Sequence, residues 1–435
     1  MPPQSQGDEE LLDRIQLSAF RYFLENVNPA NGLVADTTRQ GSPSSIAAVG
    51  FGLSCYPVAV ERGWMTRTEA AARTLVTLRF FWHSVQNDRP DATGYKGFFY
   101  HFLDLRTGIR VWQSELSLID TALLLAGILT AQTYFSGPPR DEEEIRELAD
   151  ALYARMDWQW AQNGGDTVSQ GWKPESGFLN YGWEGYSEAL ILYVLGLASH
   201  TFPLSARSYG AWTSTYQWEN LYGRDVLFVG PFFVHQFSHA WIDFRGLRDP
   251  FMREKRSDYF QNSRTAAFIQ REYALRNPGE YKGYGANCWG FTAGEGPGPR
   301  TLIIDGVERR FLGYAARGAP FGPDDGTISL TAALGSLPFA PEIALPVVRY
   351  ACEQDPRIAR EYRMPSGWNP TLTVDHPLGW MSEGYLGLDQ GLVVLMIENY
   401  RSQLLWNLMR ENRYIRSGLV RAGFSGGWLR ERAFK

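Results

Sequence analysis

The sequence predicts an all-α protein, an (α/α)6 toroid in which six helical hairpins form an inner and an outer ring, with long loops and a small β-hairpin at one end. Three observations predict this fold. Apolar residues recur at helical spacing along most of the chain. Short and long links between the helical segments alternate. No internal repeat of fixed period is present, which argues against a helical repeat array.

The helical segments pair through their short links. The predicted helices are 8–27, 45–62, 66–86, 115–135, 141–157, 185–200, 205–218, 232–245, 252–275, 327–337, 341–354 and 386–412. Short links join antiparallel helices, so the predicted hairpins are 45–86, 115–157, 185–218, 232–275 and 327–354. The first and last helices supply a sixth pair. Every long link then lies at one end of the ring. An open α-solenoid also stacks helix pairs, but loops this long are atypical of it.

One strand signal interrupts the helices. The run Thr301–Ile304 ends at an Asp-Gly turn, Asp305–Gly306, and predicts a hairpin with Arg309–Tyr314. No linker rich in Gly, Ser or Pro divides the chain. We therefore expect residues 1–435 to form a single domain.

Charge and cysteine content narrow the function classes. The chain has 42 basic and 47 acidic residues, a net charge of −5, and no basic stripe, so nucleic acid is not an expected partner. Cys55, Cys288 and Cys352 lie far apart, which argues against a zinc cluster or a disulfide framework. No signal peptide and no apolar run of membrane-spanning length is evident. We expect a soluble protein, cytoplasmic as given or periplasmic if a signal was removed, whose oligomeric state the sequence leaves open.

Tryptophan is abundant and is placed in loops. Of the 15 tryptophans, several lie in long segments rich in Gly, Pro and Asn. Loop aromatics stack on sugar rings while neighbouring polar groups bind the hydroxyls. Ordinary burial in a large core is the alternative for any one of them. As substrate-binding residues the pattern predicts Trp172, Trp183, Trp289 and Trp368.

Three carboxylates begin apolar helices at the predicted long-loop end. Asp120 lies in SLIDTALLLAG, Glu188 in GYSEALILYVLG and Asp389 in YLGLDQGLVVLM. An acid near a helix start is also an ordinary cap. However, buried acids without partners are costly, and function is the usual reason for keeping them. We predict that the three acids are catalytic.

Recognition residues are expected beside them. The segment 235–245 carries His235, His239, Asp243 and Arg245, and Asp325 precedes another inner helix. Sugar-hydroxyl contacts and core hydrogen bonding are both open for the histidines. For Asp243 and Arg245, a structural ion pair that supports this wall is the alternative. Because the segment lacks the HExxH arrangement, we predict no metal. The Gly-rich stretch Tyr284–Gly298 lacks the features of a phosphate loop, so no organic cofactor is predicted.

Six segments together resemble the bacterial glucoamylase-like domain family. These segments are SLIDTALLLAG, GWKPESGF, YSEALILYVLG, FVHQFSHAWIDFRGLRD, DDGTISLTAALGSLPFAPE and YLGLDQGLVVLMIENYR. The family includes the endo-β-1,2-glucanases of glycoside hydrolase family 144, which have an (α/α)6 fold and an inverting mechanism. The resemblance implies β-1,2-glucan or a related β-glucan as substrate.

The resemblance also places individual residues. Asp120 falls where those glucanases have a Glu before Thr-Ala, and Glu188 matches the Glu of their Trp-Asn-Glu segment. Asp389 matches the Asp of their Ile-Asp-Gln-Gly segment. Ser117 stands where they have an Asp, so this chain departs from the pattern there.

We therefore predict an inverting β-glucan hydrolase that binds an oligo- or polysaccharide. Glu188, beside the apolar run Ala189–Val194, is expected to be the general acid with a raised pKa. Asp389, beside glycines and Gln390, is expected to stay charged as the base, with Asp120 orienting sugar or water. A glycoside transferase or retaining enzyme would use Glu115 or Glu184 as nucleophile instead. A sugar epimerase-like barrel would use His235 and His239.

Overall fold

Helices dominate the protein. The computed structural model describes residues 6–361 and 363–432, and 46% of it is helical, which agrees with the predicted helix-rich class. The helices are α1 Gln6–Glu25, α2 Ile46–Glu61, α3 Arg67–His83, α4 Leu118–Tyr134, α5 Arg140–Ala154, α6 Trp158–Ala161, α7 Leu190–Ala198, α8 Ser208–Thr213, α9 Phe237–Trp241, α10 Pro250–Glu254, α11 Tyr259–Arg276, α12 Leu330–Leu334, α13 Pro341–Gln354, α14 Pro356–Glu361, α15 Gly387–Arg401, α16 Leu404–Glu411 and α17 Arg413–Arg421, with 3-10 turns at Phe232–His235 and Gly427–Arg432.

Two kinds of helix alternate along the chain. The helices α2, α4, α7, α12 and α15 are buried along almost their whole length, whereas α3, α5, α11 and α13 keep an exposed face. A helix that is apolar all round belongs in a core, and an amphipathic one belongs outside it. The buried helices contact one another: α2 packs on α4 and α15, α4 also packs on α7, and α12 packs on α15. The closed ring of six hairpins stays a prediction.

Glycines set the spacing of the innermost helices. A Cβ on Gly127 of α4 would lie 2.0 Å from the carbonyl oxygen of Gly50 on α2, and a Cβ on Gly50 would lie 2.4 Å from the carbonyl oxygen of Leu123. Real Cβ atoms do not approach so closely, so the backbones of α2 and α4 touch only because both positions lack a side chain. This contact sets the distance between α2 and the middle of α4.

The strands are short and lie in the connections between helices. They are β1 Ser44–Ser45, β2 Gly94–Tyr95, β3 Phe98–Tyr100, β4 Phe102–Leu103, β5 Leu116–Ser117, β6 Gly171–Lys173, β7 Gly177–Phe178, β8 Trp218–Leu221, β9 Arg224–Leu227, β10 Leu247–Arg248, β11 Ala293–Gly294, β12 Arg300–Ile304, β13 Val307–Phe311, β14 Ala315–Ala316, β15 Trp368–Asn369, β16 Trp380–Met381 and β17 Ser425–Gly426. Five of them form one antiparallel sheet in the order β2-β3-β5-β6-β7.

The predicted hairpin is confirmed. β12 and β13 pair antiparallel, with Ile304 opposite Val307. Both turn residues have positive φ, 52° at Asp305 and 81° at Gly306, as the tight turn of a two-residue hairpin requires. By contrast, the five-stranded sheet had no sequence signal, because its strands are only two or three residues long.

Several predicted helices are shorter than expected or broken. The predicted helix 232–245 is a 3-10 turn followed by the five-residue α9, and 252–275 is divided into α10 and α11. The division occurs at Asp258, whose side chain caps α11 by accepting a 2.8 Å hydrogen bond from the amide of Gln261. Among the described helices, none combines the length and the apolar character needed to cross a membrane.

Candidate active site

A cavity of about 340 Å³ opens where several buried helices begin. It is lined by His101, Glu115, Ser117, Ile119, Asp120, Gln170, Leu179, Trp183, Glu188, Phe233, Gln236, Phe237, Thr292, Ala293, Tyr314, Thr331, Leu386, Leu388, Asp389 and Leu392. Four of these residues are carboxylic acids, and most of the rest are apolar or aromatic. The three acids that the sequence singled out are therefore brought together in one cavity.

Asp120 is held at the start of α4 by its N-cap. The hydroxyl of Ser117 accepts a 3.1 Å hydrogen bond from the amide of Asp120 and donates a short one to its carboxylate. Ser117 thus satisfies a free helical amide and orients the acid at the same time. The same oxygen, Oδ2 of Asp120, also faces the imidazole of His101, whose Nε2 lies 3.6 Å away.

His101 bridges two acids of the cavity wall. Its Nδ1 lies 2.8 Å from Oε1 of Glu115, on the side opposite Asp120. Burial opposes protonation of His101, but the charges of Asp120, Glu115 and Asp36 outweigh it and raise the pKa of the imidazole to about 9. Glu115 responds in the opposite sense. Burial opposes its ionisation, yet the hydrogen bond and charge of His101 hold its pKa below the usual value.

Glu188 lies just before α7 and has no ion-pair partner among the described residues. Burial raises the pKa of Glu188 to about 7, the hydrogen bond from its own backbone amide lowers it, and the charge of Asp120 raises it further. A carboxylic acid with this pKa keeps its proton near neutrality. That is the property a general acid needs.

Asp389, in the first turn of α15, also has a raised pKa. Burial raises the pKa of Asp389 to about 7, hydrogen bonds from Ser366 and Thr331 lower it, and the charges of Glu295 and Asp36 raise it. Its Oδ2 atom is buried and has no hydrogen-bond partner. This corrects the expectation that the neighbouring glycines leave Asp389 in an open setting. The glycines provide close packing, since a Cβ on Gly391 would lie 2.4 Å from Cβ of Phe51.

Two further acids, Asp36 and Glu295, raise the pKa of Asp389 through their charges. Burial raises the pKa of Asp36 to about 6. The charge of His101 lowers this pKa, and the charge of Asp120 raises it. Glu295 pairs with Arg39, with 2.7 Å between Nη2 and Oε1, while its Oε2 is buried without a partner. Burial raises the pKa of Glu295 as well. The cavity acids therefore resist the simultaneous ionisation of all members.

Tyr314 stands at the mouth of the cavity, between β13 and β14. Its side chain is 70% exposed. An exposed phenol keeps its proton near neutrality, so Tyr314 remains a hydrogen-bond donor.

Sequence reasoning did not find His101, Tyr314, Asp36 or Glu295. One signal was available: His101 is the polar residue within the aromatic run FFYHF. The others are single polar residues in long loops, and only the folded chain brings Tyr314 to the cavity and the charges of Asp36 and Glu295 near Asp389. Glu184, an alternative nucleophile, is exposed beside Thr167 and does not line the cavity.

Of the predicted sugar-binding tryptophans, the structure places Trp183 on the cavity wall and the others elsewhere. Trp289 and Trp368 are buried in the core. Trp172 packs against the rings of Tyr95 and Trp160 in the five-stranded sheet. The long loops fold over the helix ends and bury their own aromatic residues, so a loop position did not mean an exposed ring.

The predicted recognition histidines lie outside the cavity. His235 is buried between the rings of Tyr186 and Phe232, and His239 is buried with its Nε2 atom 3.1 Å from the hydroxyl of Ser263. Burial lowers the pKa of each to about 3, so both imidazoles are neutral. The epimerase hypothesis loses its proposed acid and base with this placement.

The predicted polar residues Asp243, Arg245 and Asp325 also belong to the structure rather than to the cavity wall. Asp243 is buried and accepts two 2.8 Å hydrogen bonds from the guanidinium of Arg245, and it also pairs with Arg410. Asp325 is buried against Arg317, with donor–acceptor distances of 2.7 and 2.8 Å. Buried acids with such partners satisfy their charge internally.

One group in the cavity has the composition of a metal site. Ligand atoms of His101, Glu115 and Asp120 all lie within 4.8 Å of one another. Nitrogen and carboxylate oxygen donors suit several divalent metals. However, the raised pKa of His101 favours the imidazolium form, in which Nδ1 donates to Glu115 and neither ring nitrogen has a lone pair for a cation.

The chain is similar to several proteins of related description. Residues 180–413, more than half of the chain, match the model of the Glycoamylase family, whose description reads "Putative glucoamylase". An exo β-1,2-glucooligosaccharide sophorohydrolase from Parabacteroides distasonis is 29% identical over 448 residues, which cover 95% of this chain and 57% of that protein. This chain thus spans little more than half the length of that curated relative.

Solved structures resemble the whole chain. A Bacteroides uniformis protein with the same description as the family superposes with a TM-score of 0.86 at 30% identity, covering 98% of this chain and 100% of that one. The endo-β-1,2-glucanase from Chitinophaga pinensis, solved with sophorotriose and glucose, gives 0.82 at 26% identity, covering 98% and 100%.

Proposed function

Because this chain belongs to the Glycoamylase family, we propose that it is a glycoside hydrolase that cleaves β-1,2-linked glucan or its oligosaccharides. One observation carries the proposal: Glu188 and Asp389, both with a pKa raised to about 7, face a single cavity of about 340 Å³. Hydrolysis of a glycosidic bond needs two carboxyl groups in different roles. The names of the relatives from Parabacteroides distasonis and Chitinophaga pinensis support β-1,2-glucan as the substrate.

In the proposed mechanism Glu188 is the general acid. It begins protonated, because burial disfavours its ionised form, and it donates its proton to the leaving glycosidic oxygen. Asp389 is the general base. Its Oδ2 atom, buried without a protein partner, accepts a proton from the attacking water, directly or through a substrate hydroxyl. The product then has the inverted anomeric configuration.

Asp120 orients the sugar or the water. Ser117 and His101 both contact Oδ2 of its carboxylate, so its direction is set before substrate binds. His101 in turn is held by Glu115. Preorganised groups of this kind lower the cost of orienting a substrate.

Glu115 is the candidate nucleophile of the second proposed function, a retaining hydrolase or glycoside transferase. It lines the cavity, and the charge and hydrogen bond of His101 keep its pKa low, as a nucleophilic carboxylate requires. Its oxygen is already engaged by the imidazole at 2.8 Å, which favours the inverting proposal.

The proposed architecture is a closed (α/α)6 toroid formed by one domain. The contacts of α2 with α4 and α15, of α4 with α7, and of α12 with α15 support an inner ring. Cavity-lining residues lie at or near the starts of α4, α7, α9, α12 and α15, which supports a site at one end of that ring.

A panel of glucans tests the function. The full chain is incubated with β-1,2-, β-1,3-, β-1,4- and α-1,4-glucans, and new reducing ends are measured. We expect them from β-1,2-glucan first. Release from α-1,4-glucan with none from β-1,2-glucan would reject the proposed substrate. A panel with no cleavage at all would reject the hydrolase.

A further inference from the structure

This inference rests on the proposed function. We propose that Tyr314 binds the substrate at the mouth of the cavity, and that the buried ion pair between Asp325 and Arg317 holds Tyr314 in position. Tyr314 has an exposed surface, and the ion pair makes hydrogen bonds to the backbone just before it.

The side chain of Tyr314 is not engaged by the protein. It lines the cavity and is 70% exposed. Within residues 6–361 and 363–432, no side-chain hydrogen bond and no aromatic contact involves it. An exposed aromatic ring with a free hydroxyl offers a flat apolar face and a hydrogen-bond donor together, which are the two contacts that a sugar ring accepts.

One ion pair holds the backbone just before Tyr314. The amide of Leu312 donates a 2.9 Å hydrogen bond to Oδ2 of Asp325, and Arg317, three residues after Tyr314, donates through Nη2 to the carbonyl oxygen of Gly313 at 3.2 Å. The guanidinium and the carboxylate themselves make a paired contact at 2.7 and 2.8 Å. Their side chains are only 2% and 1% exposed.

The ion pair is in turn joined to the cavity wall. Asn369 donates to the carbonyl oxygen of Asp325 at 3.0 Å, and the amide of Thr327 donates to its carboxylate at 3.1 Å, three residues before α12. Immediately after Tyr314, β14 pairs with β11, whose Ala293 lines the cavity. Asp325 therefore acts through the backbone of the 312–317 segment and does not contact the substrate.

Close packing at Gly296 restricts the movement of this segment. A Cβ on Gly296 would lie 2.2 Å from Nη2 of Arg317 and 2.4 Å from the carbonyl oxygen of Leu312. A segment that is already rigid loses less conformational entropy than a mobile segment when a sugar binds. An exposed phenol keeps its proton near neutrality, so the hydroxyl of Tyr314 can donate a hydrogen bond to a sugar hydroxyl.

A double-mutant cycle of Tyr314 and Asp325 tests the proposal. Binding of sophorotriose to the full chain is measured by titration calorimetry, and kcat and KM are measured on the glucan that the parent cleaves. We expect Tyr314→Ala to raise Kd and KM about tenfold and Tyr314→Phe about threefold, from the loss of a stacking face and of one neutral hydrogen bond. In each variant kcat should stay within about threefold of the parent, because Tyr314 takes no part in proton transfer.

Asp325→Asn should raise Kd by a factor similar to that of Tyr314→Ala, and it should add no further loss when Tyr314 is already alanine. Ile303→Ala, an exposed truncation on the same hairpin, is the control for Tyr314→Ala. Asp243→Asn, which breaks another buried ion pair, is the control for Asp325→Asn. If Asp325→Asn does not fold, Arg317→Lys replaces it, since lysine keeps the charge and loses the two-pronged contact.

Two outcomes would overturn the proposal. Tyr314→Ala with a Kd no higher than that of Ile303→Ala would remove Tyr314 from the binding site. Additive losses in the double variant would show that Asp325 does not act through Tyr314. The same measurements separate this proposal from the proposed function. If the parent binds sophorotriose and cleaves no glucan, the hydrolase proposal is contradicted, and the Kd values of the variants still decide whether Tyr314 binds the sugar.

Discussion

Two groups of largely buried acids in this protein have opposite chemistry. In the cavity, Glu188 and Asp389 have no cationic partner, and the pKa of each is raised to about 7. Elsewhere, Asp243 and Asp325 are each held by arginine, and the pKa of each is lowered, because the arginine hydrogen bonds and charge outweigh the effect of burial.

The difference teaches that partnership, and not burial, separates a reactive acid from a structural one. A buried carboxylate paired with a guanidinium is ionised and has its lone pairs occupied, so it neither gives nor takes a proton readily. A buried carboxylate without a cation is protonated near neutrality and remains available to a substrate. Asp120 stands between the two groups, since its neighbours are a serine hydroxyl and the shared imidazole of His101.

The largest expected effect is on turnover. Glu188→Gln and Asp389→Asn each remove one proton-transfer group and should lower kcat about 10²- to 10⁴-fold on β-1,2-glucan. Neither should lower the melting temperature, because each replaces an acid that burial already disfavours as an ion. A variant with turnover close to that of the parent would place its acid outside the reaction.

The same two variants also change the pH dependence of stability. A folded pKa raised from 4.5 to about 7 at Glu188 gives a contribution that is fully present below pH 4.5 and lost as the pH rises through 7. The melting temperature of Glu188→Gln should therefore decline less than that of the parent between these values. Parallel melting curves for the two proteins would contradict the raised pKa.

The paired acids should show the opposite result. Asp243→Asn breaks a buried ion pair and leaves Arg245 and Arg410 without their shared carboxylate, so we expect a loss of about 3–5 kcal/mol in the free energy of unfolding. Turnover of the folded fraction should stay within a few-fold. Asp166→Asn, in an exposed pair with Arg207, is the control and should cost less than about 1 kcal/mol.

A smaller loss is expected from the helix contact below the cavity. Gly127→Ala forces a Cβ against the backbone of Gly50 and should destabilise the protein by about 1–3 kcal/mol in chemical unfolding. Gly210→Ala, at a helical glycine with open space around its Cβ position, is the matched control. We expect it to be neutral or slightly stabilising. Equal effects of both would contradict the close contact.

The smallest effect is the pH dependence of activity. Glu188 must be protonated and Asp389 ionised, and both have a pKa of about 7. Below pH 7 the base is lost, and above it the acid is lost. The profile of kcat/KM should be a narrow bell centred near pH 7 that falls about threefold one pH unit to either side. A broad plateau from pH 5 to 8 would show that the two pKa values are far apart.

Much of the helical framework was predictable from the sequence. The uniformly apolar run of α4 predicted a buried helix, and α13 has the predicted bounds, with Pro341 at its first position. Irregular pieces were not predictable, because short turns and two-residue strands have no periodicity. One example is the predicted helix 232–245, which is a 3-10 turn followed by the five-residue α9.

The cavity acids were predictable and their surroundings were not. Asp120, Glu188 and Asp389 each interrupt an apolar helix start, which is a local signal. The partners that remove Asp243 and Asp325 from the cavity are Arg410 and Arg317, and a pattern of helix starts contains no information about pairing through space. The same reason hid His101, which reaches Asp120 from the bend between β3 and β4.

The configuration of the first product tests the account most directly. The full chain is incubated with β-1,2-glucan in the NMR tube, and the new anomeric proton is observed before mutarotation equalises the two forms. Glu188 as acid and Asp389 as base on water predict that the α-anomer appears first. A β-anomer appearing first would contradict the account and assign the chemistry to a retaining nucleophile such as Glu115.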